Sequence, residues 1–205
     1  MTQAGRIGVW GASGSGKTTV VIDLVRTTKR LVIFDPEDEF TGKLRGVTRC
    51  STLDQIKAGM RAKWQSFRLA YVPPPGKESA ALSNLSRLVV FAQEPYREST
   101  NPAHRLTLVA DELNTAFPVH GGEARCPGFV EICARGRKRA IHTIGVSQRV
   151  TEVSTRFRGN LSEQVFLRAE ELIDQKRAAE VLGLPLDTIR AMANFQLYHK
   201  EGPQV

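Results

Sequence analysis

Short, continuous apolar runs alternate along this chain with stretches whose apolar residues recur at helical spacing. Residues 7–10, 30–35, 67–72, 106–110 and 141–146 have the pattern of short, largely buried strands. Residues 20–25, 53–64, 82–91 and 128–139 carry apolar side chains at a period near 3.6, which predicts helices. Toward the end of the chain, 164–167 predict a strand, 172–182 a helix stopped by Gly183, the stretch after Pro185 a short helix, and 195–198 a final strand. The polar, proline-bearing segment 94–104 predicts a loop. So does 117–127, which contains Gly121, Gly122 and two prolines and is expected to be long and mobile. Strands that alternate with helices predict an α/β fold, with a mainly parallel central sheet and helices on both faces.

Length fits this picture. The 205 residues suffice for one α/β domain with a substantial core, the segment 170–205 being an extension of it. The rigid turn Pro73-Pro74-Pro75-Gly76 is the strongest punctuation, but it is too short for a domain linker. No apolar stretch approaches the roughly 20 residues of a membrane span, and the first residues lack the apolar core of a signal peptide. The expectation is a cytoplasmic protein without direct membrane insertion. Cys50, Cys126 and Cys133 are scattered and lack metal-ligand spacing, which predicts free thiols. The formal net charge of +8 favours a polyanionic partner, and nucleic acid is the commonest one.

The densest chemistry lies near the start. Gly11, Gly16, Lys17 and Thr18 satisfy G-x-x-x-x-G-K-[ST], between a predicted strand and a predicted helix. In such a loop the backbone N–H groups of Ser13, Gly14, Ser15, Gly16 and their neighbours through Thr19 turn toward phosphate oxygens, and the helix N-terminus adds positive potential. Lys17 would reach the β- and γ-phosphates of ATP, and the Thr18 hydroxyl would ligate Mg²⁺. Asp111 and Glu112 directly follow an apolar strand. Asp111 suits the metal or a water bound to it, and Glu112 suits the polarisation of an attacking water. Gln148 follows another buried strand, at the sheet edge where ligands bind in such folds. An amide there can donate to a γ-phosphate and accept from water. Arg135, Arg137, Lys138 and Arg139 form the densest basic cluster. Three readings compete for it: a solvated helix end, contacts to DNA phosphates, and an arginine lent to the active site of a neighbouring subunit.

Further segments carry a resemblance. Asp35-Pro36-Glu37-Asp38-Glu39-Phe40 resembles the D-P-x-x-E-[FY] segment of FtsK–HerA ATPases. Ala110-Asp111-Glu112 resembles their Walker B strand end, and Arg135-Gly136-Arg137-Lys138 followed by Val146-Ser147-Gln148-Arg149 resembles their G-R-K…S-Q-R signature. The match runs from about residue 7 to about residue 168. Leu113 and Asn114 depart from the Ala-His that many relatives carry after the acids. The resemblance implies a P-loop NTPase fold and a ring, usually hexameric, that moves double-stranded DNA without regard to sequence. Gln148 would be the γ-phosphate sensor. Arg137, with Arg135 next, would be the trans-acting arginine finger.

A chain this compact resembles most the minimal genome-packaging ATPases of viruses with an internal membrane. Such an enzyme would work in the host cytoplasm and at a virion vertex, docked on a capsid or membrane-vertex protein. Filamentous-phage-type assembly ATPases are the alternative within the family. Outside it stand an ATP-switched, non-motor assembly factor and a small-molecule kinase, whose lid would be the Gly121-Gly122 loop with Arg125. Asp111-Glu112 and Gln148 argue against the kinase. Lys77, Arg125, Arg156 and Arg158 are the candidates for DNA contact, and the sequence does not choose among them.

Overall fold

The computed structural model describes residues 4–202. Eight strands form one sheet: β1 (Arg6–Trp10), β2 (Arg30–Phe34), β3 (Thr48–Cys50), β4 (Phe67–Tyr71), β5 (Leu106–Ala110), β6 (Ile141–Ser147), β7 (Glu163–Leu167) and β8 (Leu197–Glu201). Their spatial order is β3-β4-β2-β5-β6-β1-β7-β8. All neighbours pair in parallel except β8, which returns antiparallel on β7. Every residue of β1, β2 and β5 is buried, which is why these strands read as continuous apolar runs.

Nine α-helical segments among the described residues flank the sheet: α1 (Lys17–Val25), α2 (Leu53–Ala62), α3 (Glu78–Gln93), α4 (Leu113–Ala116), α5 (Gly122–Arg125), α6 (Pro127–Arg135), α7 (Thr155–Arg158), α8 (Leu172–Leu182) and α9 (Leu186–Arg190). Local chemistry sets their ends. Thr52 and Gln55 form a reciprocal capping box at the start of α2. Gly183 ends α8 in the left-handed conformation, φ 68°. Alternation along each strand divides the core in two. On one face Leu31, Ile33, Val109 and Val146 pack under Val21 and Val25 of α1 and under Phe40 and Leu44. On the other, Val32, Phe34 and Leu108 meet Ile56 and Met60 of α2, Leu82 and Leu85 of α3, and Phe129 and Ile132 of α6.

Four segments differ from the sequence expectation. The short β3 has two exposed residues out of three, so it gave no apolar run. The helix expected over 128–139 begins at Pro127 and stops at Arg135. Residues Arg137–Arg139 make a 3₁₀ turn instead, because Ala140 enters the left-handed region (φ 54°) to turn the chain into β6. Segment 117–127 is not a plain loop. It contains α5, buries Phe117 and Cys126 completely, and is tied to the 150–153 turn by a Pro118–Val153 bridge and by Val119 N–H donating to the Glu152 carbonyl (2.8 Å). The final strand starts at Leu197, leaving Phe195 in the turn before it.

Candidate functional site

The C-terminal ends of β1, β5, β6 and β7 lie together at one edge of the sheet, and loops from all four meet there. Residues 11–16 join β1 to α1. The N–H of Gly11 donates to the Ser147 carbonyl (3.2 Å) and that of Ala12 to the Arg168 carbonyl (2.8 Å), so both flanking strands hold the loop. Glycine is required at two points. A Cβ on Gly11 would lie 2.7–2.8 Å from Ser15 Oγ and Leu167 Cβ, and Gly16 has φ 109°. Ser15 is fully buried and its Oγ has no hydrogen-bond partner among the described residues.

The loop borders a cleft of about 640 Å³ that is also lined by Asp111, Glu112, Thr115, Gln148 and Phe195. Lys17 and Thr18 are half-buried at its floor. Lys17 Nζ donates to the Ala12 carbonyl at 3.0 Å. Burial lowers the pKa of Lys17, against the opposing pull of Glu112, Asp111 and Glu39. Asp111 follows β5 and is buried. Desolvation first, and the Glu112 charge next, push its carboxyl up to about 7. A divalent cation beside it would draw that carboxyl back into the ionised range.

Glu112 sits in the left-handed region, φ 46° and ψ 47°, which is uncommon for a non-glycine residue. Its Oε1 accepts from Gln148 Nε2 at 2.9 Å, so the acid after β5 and the amide after β6 are already in contact across the cleft. Ser147 Oγ donates to Asn114 Oδ1 (2.9 Å), a second tie between the same two strand ends. Asp35, at the end of β2, is fully buried and accepts the N–H groups of Glu39 (2.8 Å) and Phe40 (3.0 Å). It thereby shapes the 36–40 turn that presents Glu37 and Glu39 to the cleft.

A magnesium ion fits this donor set. The Thr18 hydroxyl and the Asp111 carboxylate line one cleft, and Mg²⁺ uses few protein oxygens when phosphate and water complete its octahedron. Among the described residues no cluster of three His, Cys, Asp or Glu side chains could hold a metal alone.

Gly11, Ser13, Gly14, Ser15, Gly16, Lys17, Thr18, Thr19, Asp111, Glu112 and Gln148 therefore meet at one edge. Arg135 and Arg137 do not. They are exposed and precede β6, at the opposite end of the strand from Gln148. Seven residues of β6 put about 20 Å between those ends. Arg139 leaves the cluster altogether, because it is buried and paired with Glu94 (2.7 Å) and Glu131 (3.6 Å).

Of the candidates for DNA contact, Lys77 and Arg125 are exposed, Arg156 pairs with Glu123 (3.2 Å), and Arg158 Nε donates to the Val153 carbonyl (2.7 Å). Sequence reasoning missed Thr115 and Phe195 as residues of the cleft. It also missed Asp174, which is buried behind Arg149.

No protein-family pattern matches the chain, and no curated protein sequence matches it. Solved structures do. The genome-packaging NTPase B204 of Sulfolobus turreted icosahedral virus 2, in complex with AMPPCP, superposes with a TM-score of 0.73 at 13% identity, over 96% of this chain and 92% of that one. B204 of Sulfolobus turreted icosahedral virus, described as a DNA-packaging ATPase, gives 0.66 at 13% identity over 98% and 94%. The cytoplasmic domain of the type VII secretion ATPase EccC of Thermomonospora curvata gives 0.62 at 18% identity, over 98% of this chain but 24% of that one. At these identities the likeness is one of fold, and the chain has the fold of the P-loop NTPases, as found in a viral genome-packaging NTPase and in a type VII secretion ATPase.

Proposed function

We propose that this chain is an ATPase that couples hydrolysis to the movement of double-stranded DNA, as a genome-packaging motor. The observation that carries the reading is the convergence of the glycine loop, Asp111 and the Glu112–Gln148 pair on one cleft. The fold shared with packaging NTPases supports it, and so does the net charge of +8.

In this reading the amides of residues 13–19 bind the triphosphate, and Lys17 leaves the Ala12 carbonyl to reach its β- and γ-oxygens. Thr18 and Asp111 would hold Mg²⁺, which would supply neutralisation of the phosphate charge. Glu112 orients a water for attack on the γ-phosphorus and takes its proton as the bond to the β,γ-bridging oxygen breaks. Gln148 is bonded to Glu112 before reaction, so a γ-phosphate that competes for its amide frees the carboxylate for that water. Arg137, and next Arg135, cannot reach this cleft from within the chain. They act on the cleft of an adjacent subunit in a homo-oligomeric, hexameric ring. DNA passes through the ring and is held by its phosphates. The enzyme works in the host cytoplasm or at a virion vertex, docked on a capsid or membrane-vertex protein.

The test is phosphate release by size-resolved oligomers, with and without double-stranded DNA. DNA should raise turnover in the ring fraction, and Lys17→Ala should lower it by at least about 100-fold. Unaltered hydrolysis by Lys17→Ala would sink the site assignment. Turnover indifferent to DNA would leave an ATP-switched assembly factor in place of a motor.

A further inference from the structure

The cleft has two ends. Asp111, Glu112 and Gln148 come from β5 and β6, on one side of β1, while β7 and the turn before β8 lie on the other. Phe195 belongs to that turn. Its backbone has φ 65°, a region that bulky side chains rarely enter. The N–H of Phe195 donates to the Ser15 carbonyl at 2.9 Å, which ties the turn to the glycine loop. The ring lies over Gly16: a Cβ there would come within 2.8 Å of the ring carbon Cδ1. Yet Phe195 is 70% exposed and faces the cleft. A large apolar ring is thus held in an unfavourable backbone conformation, beside a phosphate-type loop, without being buried in the core.

A triphosphate lying along the loop, with its γ end at the Glu112–Gln148 pair, must send its α end and nucleoside the other way. That way leads toward β7 and Phe195. We propose that Phe195 is the platform on which the base of the bound nucleotide stacks. The proposal rests on the reading of this cleft as the ATP site, and it names what holds the nucleoside. A phenyl ring reads the flat face of a base and not its hydrogen-bonding edge. The platform therefore favours the larger purines over pyrimidines and separates ATP from GTP weakly.

Calorimetric titration with two ligands tests this: a non-hydrolysable ATP analogue and inorganic tripolyphosphate, each with Mg²⁺, on the full chain. Phe195→Ala should weaken the analogue about tenfold, within the range measured for loss of one base–aromatic stack, and leave tripolyphosphate within about twofold. Phe195→Leu, which keeps apolar bulk without a π-face, should behave like the alanine variant, and Phe195→Trp should retain the analogue. An equal loss for both ligands would make the ring a prop for the glycine loop and overturn the platform. Unchanged analogue affinity in Phe195→Ala would overturn it too. A wild-type protein that binds neither ligand would overturn the ATP-site reading itself, and the platform with it.

Discussion

Arg149 Nε donates to a carboxylate oxygen of Asp174 at 2.7 Å, which joins the residue after Gln148 to a buried acid in the first turn of α8. The same carboxylate accepts the backbone N–H (2.9 Å) and the hydroxyl (2.8 Å) of Thr151. Gln148 therefore sits on a turn pinned from behind. Asp174→Ala should destabilise the protein by about 1–2 kcal/mol, since it leaves the part-buried N–H and hydroxyl of Thr151 without their acceptor while Arg149 keeps Glu152 (3.1 Å). Chemical denaturation measures that loss. Positioning of Gln148 through Arg149 is read separately, as a fall in kcat larger than any change in KM for ATP.

The Glu112–Gln148 contact gives a second expectation. Glu112→Gln removes the proton acceptor but keeps the shape of the cleft, so turnover should fall by about 100-fold or more. Affinity for a non-hydrolysable analogue should stay within a few-fold. Gln148→Ala should lower turnover less steeply, since the carboxylate remains. Single-turnover phosphate release beside equilibrium binding distinguishes the two variants, and equal losses in binding and turnover would remove Glu112 from the chemistry.

Arg137 is exposed at the far end of β6 from Gln148. If it serves a neighbouring subunit, specific activity of the wild type rises with protein concentration as rings assemble. Arg137→Ala should stay at the low, dilute-limit rate at every concentration while binding nucleotide normally. A concentration-dependent rise in the variant equal to that of the wild type would rule this arginine out and pass the role to Arg135.

His142 supplies a pH dependence outside the cleft. Its Nδ1 accepts the N–H of Gly5 at 3.0 Å, a bond that requires the neutral ring. Burial, with the Arg105 charge adding to it, pushes its pKa down to about 4. The unfolded chain takes up this proton near pH 6.5, before the folded one does, so the contribution is whole above that pH. It is lost as pH falls from about 6.5 to about 4, at no more than about 1.4 kcal/mol per pH unit. His142→Gln should flatten the fall of stability in that window, as followed by urea unfolding at a series of pH values.

Much of the cleft was legible because its chemistry is local. The glycine loop, Asp111-Glu112 and Gln148 each follow an apolar run at once, so a strand pattern and a parallel sheet bring them to one edge. Phe195 and Asp174 carry no such signal. The first reaches the cleft only because β8 returns antiparallel along β7, a pairing that no local pattern states. The second is an acid in the first turn of a helix, preceded by exposed Leu172 and Ile173, and its burial comes from packing against the 147–151 turn. Composition misled at 117–127, where glycines and prolines conceal a helical turn whose ends are anchored by buried Phe117 and Cys126. The four-residue basic run likewise hides one structural member, Arg139, whose shorter ion pair is to Glu94, far back in the sequence.

The central strand β6 has a bearing on the size of any assembly. One end delivers Gln148 and the other begins beside Arg137, with seven paired residues between them. Fixed on both sides by β1 and β5, it works as a strut of set length between the two faces that neighbouring subunits would share. Removing one residue from it would shorten that strut by a single step and turn every following side chain to the opposite side of the sheet. In a ring where Arg137 serves a neighbour, that strand would set how far the donated arginine stands from the cleft of its own subunit.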